Sequence, residues 1–331
     1  MTAARPAPLA RPGRLAATLA RDAWMAVATA TIACVLGSCA GQAGRGHAAV
    51  SPSASPPAGA SVPPPPGAAG ASSPPDGALA TSSSPPQWLL TRAALSQLVT
   101  DPGVRAGLRR CRVYQLLQPG QRPLGGLVTV PVVVFPSAAD LVKAVTGRHL
   151  PAGTGAVLYD PEAWSFTPAS EQRNPGQAAQ RAAAAAHAHG LKLIVTPALN
   201  LVTVRGHSSA PRWQQFLSQR IAAAVAVHAD FVELQAQSLE RSAATYSSFV
   251  RQGAAQVRTA NPQAAVLAGL STNPPGAAVS PQHLTAAIAA TRGIAAGYWL
   301  NIPGRGPKCP ACNSMQPRVG IQALREVLPG T

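Results

Sequence analysis

From Gln87 to Thr331 short apolar runs alternate with longer amphipathic stretches, and this alternation organises the chain. Seven runs read as strands: residues 112–117 (RVYQLL), 128–135 (VTVPVVVF), 156–159 (AVLY), 191–198 (LKLIVTPA), 231–237 (FVELQAQ), 265–271 (AVLAGLS) and 297–302 (GYWLNI). Helical periodicity follows most of them. Ser137 is placed to cap a helix through Val145, and further helices are expected over about 175–189, 211–228, 242–260, 281–291 and 319–328. Residues 87–110 read as one or two helices broken near Asp101-Pro102-Gly103, with Trp88, Leu89, Leu95, Leu98 and Val99 on the apolar side. Strand, loop, helix, repeated in this order, specifies a parallel sheet with helices outside it. The length of the segment suits a (β/α)₈ TIM-barrel-like domain better than an open doubly wound sheet. Seven strands are readable, so either one strand is irregular or the barrel is incomplete.

Parity within FVELQAQ says which way that strand faces. Phe231, Glu233, Gln235 and Gln237 share one side, and Val232, Leu234 and Ala236 the other. The apolar side suits the helix layer, so the polar side is expected to look into the barrel. There it would form either a wet interior near the upper rim or a buried polar network with a structural role.

The segments before residue 87 follow another pattern. Arg5, Arg11, Arg14 and Arg21 precede an apolar stretch, Ala23 to Leu36, too short for a comfortable membrane span, as in an export signal. Leu36-Gly37-Ser38-Cys39 resembles the bacterial lipobox, which implies a signal over 1–39 and an acylated Cys39. Such acyl chains contribute about 0.8 kcal/mol per buried CH₂. The expected location is therefore outside the cell, anchored by lipid to the outer face of the cytoplasmic membrane. Residues 40–86 are dominated by Ala, Ser, Pro and Gly and hold almost no bulky apolar side chains, which predicts a disordered linker. The domain is then residues 87–331.

The chain carries 27 Lys and Arg against 11 Asp and Glu, a formal net charge of +16. Losing four Arg and one Asp with the signal lowers this to about +13. The basic residues are scattered, which fits attraction to anionic envelope polymers or lipid head groups. Nucleic-acid binding asks for a basic stripe interleaved with exposed aromatics, and aromatics are sparse. No GxGxxG, GxxxxGK[ST] or GxSxG motif follows a strand, which argues against nucleotide cofactors and a serine nucleophile elbow; no cofactor is expected.

Acid is concentrated in one place. Asp160, Glu162 and Glu171 all lie in GAVLYDPEAWSFTPASEQ, residues 155–172. In barrels of this kind the site lies at the carboxyl ends of the strands, where Asp160, Glu162, Glu233, Gln235, Asn273 and Asn301 are expected. Glycoside hydrolysis needs one carboxylic acid to protonate the leaving oxygen and a second carboxylate as base or nucleophile. Glu162 is the candidate acid, with Asp160 or Glu233 as its partner. Tyr159, Trp164, Phe166, Tyr298 and Trp299 could offer faces to sugar rings, and Gln235, Gln237, Asn273 and Asn301 hydrogen bonds. The competing reading makes Asp160 and Glu162 a capped, salt-bridged loop with Arg173 or Arg181.

Asp160-Pro161-Glu162 with Trp164 after it resembles the DxE strand end of the chitinase-like barrel glycosidases. YDPEAW, STNP and GYWLNIP resemble segments of exported actinobacterial proteins of unassigned activity. Together these resemblances imply a glycoside-hydrolase-like barrel that binds, and in the stronger form hydrolyses, an envelope or extracellular glycan. The alternative of another class is a non-catalytic binding or scaffolding protein on the same fold.

Cys111, Cys309 and Cys312 remain in the domain, and outside the cytoplasm a disulfide is expected. It would be local, within Cys309-Pro310-Ala311-Cys312, or join Cys111 to one of that pair. His187 and His189 have no matching Cys nearby, so no metal site is expected.

Overall fold

The structure is a computed structural model, and it describes residues 85–206, 208–274, 278–306 and 314–330. The signal segment, most of the linker, Cys39, Cys309 and Cys312 lie outside the described residues.

Eight parallel strands close into a barrel in the order β1 to β8. They are β1 (Gln87–Thr91), β2 (Val113–Leu117), β3 (Val130–Phe135), β4 (Ala156–Tyr159), β5 (Lys192–Val195), β6 (Phe231–Leu234), β7 (Ala265–Ser271) and β8 (Gly297–Asn301). Closure comes from β1 pairing with both β2 and β8, with Trp88 opposite Val113 on one side and Tyr298 on the other.

The strand that sequence periodicity does not find is therefore β1. Residues 87–91 were expected to be helical, but Trp88, Leu89 and Leu90 are all fully buried, because the strand is covered by helices outside and by barrel contents inside. A strand buried on both faces shows no alternation, and five residues are too few to tell it from a buried helical turn. Thr91 ends it by accepting the Ala94 N–H at 3.0 Å, which caps α1 (Arg92–Leu98). Asp101 repeats the device for α2 (Pro102–Leu108), accepting the Val104 N–H at 2.9 Å. Its other oxygen takes an ion pair from Arg325 of the last helix, which holds the carboxyl below the usual range.

The outer layer continues with α3 (Ala138–Thr146), α4 (Ala169–Arg173), α5 (Pro175–Ala188), α6 (Arg212–Ser218), α7 (Ile221–Ala226), α8 (Ala243–Ala260), α9 (Pro281–Thr291) and α10 (Pro317–Val327). The single helix expected over 211–228 is two, α6 and α7, parted by Arg220 in the left-handed region at φ 52°. None of the described helices is long and apolar enough to cross a membrane.

Parity divides the core in two. Leu89, Tyr114, Leu116, Val132, Val134, Ala156, Leu158, Ile194, Leu267 and Trp299 pack inside the barrel. Their neighbours in sequence, such as Val133, Val157, Val195, Val232, Leu234, Ala268 and Leu300, pack against the helices. This alternation decides which chemical groups can reach the mouth.

At the opposite end of the barrel, Asp230 collects His187 Nε2 at 2.9 Å, Lys192 Nζ at 2.7 Å and the Leu193 N–H at 2.8 Å. This cluster ties α5, β5 and β6 together. It lies at the amino-terminal face, where charged clusters serve stability.

Candidate active site

The carboxyl ends of the strands open into a cavity of about 840 Å³. Asp160, Glu162, Trp164, Gln235, Gln237, Trp299 and Asn301 line it, as do Trp213 on α6, Ser238 beyond β6 and Ser271 at the end of β7.

Asp160 extends β4 by one residue, its N–H donating to the Phe135 carbonyl at 2.9 Å. That places its side chain on the inner face, above Leu158. The carboxylate accepts the Thr196 hydroxyl at 2.7 Å and Gln235 Nε2 at 3.2 Å, so β5 and β6 both aim it. Gln235 is steadied in turn by donating to the Thr196 carbonyl at 3.0 Å.

Glu162 stands on the loop above. Its N–H donates to Thr167 Oγ1 at 3.2 Å, and Asn200 Nδ2 lies 3.4 Å from its Oε2. The loop is held at many points. Trp164 Nε1 also donates to Thr167 Oγ1 (2.9 Å), that hydroxyl donates to the Pro136 carbonyl (2.8 Å), and Gln172 Nε2 reaches the carbonyls of Trp164 and Thr167. The Ala163 N–H donates to Asn200 Oδ1 at 2.8 Å. Bonded at so many points, the loop presents its carboxylate preorganised.

Glu233 differs from both. It is fully buried and lies beneath the cavity, outside its lining. Burial pushes its carboxyl well above the usual range. The charge of Asp160 adds to the shift, Gln237 pulls against it, and Glu162 adds a smaller contribution. The three carboxylates therefore share one electrostatic neighbourhood. Gln237 sits close by, yet neither oxygen of Glu233 has a hydrogen bond of good geometry. The neutral, protonated acid is the form such a site favours.

Room for this carboxyl comes from Gly269. A Cβ there would collide with Glu233 Oε1 and with the Gln237 amide, so a side chain is excluded by close approach and not by backbone conformation. Trp299 pairs with Gly269 across β7 and β8, and its ring closes the inner wall.

Other expected residues fall elsewhere. Tyr159 is fully buried in the layer between barrel and helices, where its hydroxyl donates to Glu171 Oε2 at 3.0 Å. A residue one position from inward-facing Leu158 must face outward, so Tyr159 offers no surface to a ligand. Tyr298 is turned the same way, bonding the Ile288 carbonyl at 3.0 Å. Asn273 lies outside the cavity lining, its Nδ2 donating to the Ser314 carbonyl at 3.2 Å. Glu171, the third acid of the cluster, caps α3 by accepting the N–H groups of Ala138 (2.8 Å) and Ala139 (3.2 Å). Among the described residues Cys111 is a free, half-buried thiol, pushed up by burial and drawn back by the neighbouring Trp88 ring. No group of three or more potential metal ligands occurs among the described residues.

Sequence reasoning missed Trp213, Thr196, Asn200 and Glu240. Thr196 could have been found, since it stands at the end of LKLIVTPA in the inward register of Ile194. Glu240 gave no signal, because a lone acid after a strand looks like a solvated loop. It is in fact buried, accepting the N–H groups of Ser238 (2.6 Å) and Ser271 (2.7 Å).

The sequence matches no family model and no curated protein. Solved structures similar to it include a chitinase from Chromobacterium violaceum, at 13% identity over 73% of this chain and 98% of that one, with a TM-score of 0.41. Another is a GH128 endo-β-1,3-glucanase from Amycolatopsis mediterranei in complex with laminaritriose, at 14% identity over 73% and 99%, TM-score 0.43. A third is the PgaB (BpsB) glycoside hydrolase domain from Bordetella bronchiseptica, at 11% identity over 74% and 99%, TM-score 0.39. The barrel assignment rests on the strand pairing described above.

Proposed function

We propose that this barrel binds an envelope or extracellular glycan in the cavity at its carboxyl face and hydrolyses it, on a chain exported and held at the membrane by a lipidated Cys39. The observation that carries the reading is the placement of two carboxylates, Asp160 at the end of β4 and Glu162 on the pinned loop above it, in the wall of a cavity that also holds the indoles of Trp164, Trp213 and Trp299. Aromatic faces suit the apolar faces of sugar rings, and paired carboxylates suit acetal cleavage.

In this reading Glu162 protonates the leaving oxygen, being the carboxyl on the more open side. Asp160, aimed by Thr196 and Gln235, is its partner and orients the reacting group or the attacking water. Glu233 lies outside the cavity lining and acts through Asp160, its neutral form keeping a third negative charge away from the pair.

Hydrolysis of peptidoglycan, chitin and α-glucans by wild type and Glu162→Gln tests this. Loss of a general acid should lower the rate by about 10²-fold or more. Equal rates would remove Glu162 from the mechanism. Binding without turnover by both proteins would favour the non-catalytic reading, which the full burial of Glu233 also suits.

A further inference from the structure

Beyond the two cavity carboxylates, one buried acid joins the loops that form the cavity rim. Glu240 is 1% exposed and follows β6 by six residues. Its Oε2 accepts the Ser238 N–H at 2.6 Å and its Oε1 accepts the Ser271 N–H at 2.7 Å. Ser238 belongs to the loop after β6 and Ser271 ends β7, and both line the cavity. Ser238 also holds φ at 84°, a left-handed conformation that costs a non-glycine residue energy and persists only where neighbouring bonds impose it. The loop after β6 and the end of β7 are thus joined by one carboxylate.

We propose that Glu240 is a positioning residue of the cavity: by accepting both N–H groups at once it fixes the β6 and β7 rims against the ligand, and its protonation state sets how tightly ligand is held. The proposal rests on the reading of this cavity as a glycan site.

The chemistry gives the direction. A carboxylate can accept at both oxygens, whereas a carboxylic acid has turned one of them into a donor facing an N–H. Protonation therefore loosens one of the two contacts. Burial pushes this carboxyl up to about 7, while its own N–H and those of Ser271 and Ser238 pull the other way. Among the described residues no cation is paired with it. Tyr246 from α8 feels its charge, but the Tyr246 hydroxyl is committed to the Gly269 carbonyl at 3.1 Å. Glu233 from β6 and Tyr298 from β8 also face Tyr246, and Arg241 beside Glu240 in sequence is exposed. Ionisation ties both rims and protonation loosens one of them, so ligand should bind more weakly as pH falls through about 7.

Two measurements on wild type and Glu240→Gln test this. The first is amide exchange in peptides containing Ser238 and Ser271 at pH 6, 7 and 8. The glutamine amide has one acceptor only, so the excess protection of wild type over the variant should grow with pH and vanish at pH 6. The second is binding of chitohexaose, laminarihexaose and maltohexaose. Any that binds wild type should lose about fivefold in affinity from pH 8 to 6, the lower end of a typical coupling between two sites. The variant should show a flat profile at the weaker level. A protection ratio independent of pH, with sugar still bound, would overturn the role of Glu240 and leave the glycan reading standing. Protection that follows pH with no sugar bound would overturn the glycan reading, and ligand positioning with it. Glu233→Gln serves as control: a pH profile abolished there but kept in Glu240→Gln would also overturn the proposal.

Discussion

Glu233 shows what one buried carboxyl implies for stability. Its folded pKa is raised above the ordinary value, chiefly by burial. The stability it contributes is therefore complete below the ordinary carboxylate range and is lost as pH rises toward the folded value. Glu233→Gln mimics the neutral acid at every pH. Urea unfolding from pH 5 to 8 should show wild type losing stability relative to the variant, by at most about 1.4 kcal/mol per pH unit. Parallel curves would mean that Glu233 ionises without cost. Its neighbour Asp160 is a different case, because Thr196 and Gln235 supply the donors a charged carboxylate needs.

At the scale of elements, acids do more structural work than their number suggests. Glu171 satisfies two otherwise orphaned N–H groups at the start of α3 and receives the Tyr159 hydroxyl, so it binds the β4 loop to a helix beside it. Glu171→Ala should cost about 1–3 kcal/mol in denaturant unfolding, as expected when buried donors lose their acceptor. A loss within experimental error would show that solvent replaces it. Seven of the eight strands were legible in the sequence because turn residues and helical periodicity bracket each of them. β1 was not, since Trp88 to Leu90 are buried on both faces and carry no alternation. Parity placed Glu233, Gln235 and Gln237 on the inner side of β6. The same rule, applied to AVLYD, turns Tyr159 away from the cavity once Asp160 is taken as inward. The expectation for Tyr159 erred by reading aromatic character without register. Glu240 was invisible because its partners are backbone groups of two loops distant in sequence.

For the whole molecule, the barrel places Asp160, Gln235 and Gln237 at one mouth and packs aliphatic and aromatic side chains such as Leu89, Tyr114, Val132 and Leu267 inside it. The chain carries 27 Lys and Arg against 11 Asp and Glu, and the cavity wall holds two carboxylates together with Arg212. If the leader acts as expected, Cys39→Ala should move the protein from the membrane fraction to the soluble one. Unchanged retention would refute the lipid anchor.

The central claim is that the cavity is a sugar site walled by tryptophan. Calorimetric titration of wild type, Trp164→Ala and Trp299→Ala with chitohexaose, laminarihexaose and maltohexaose tests it most directly. At least one sugar should bind wild type, and each substitution should weaken it about tenfold, a change of about 1.4 kcal/mol. Binding by none of the three sugars, or equal binding by all three proteins, would contradict the account.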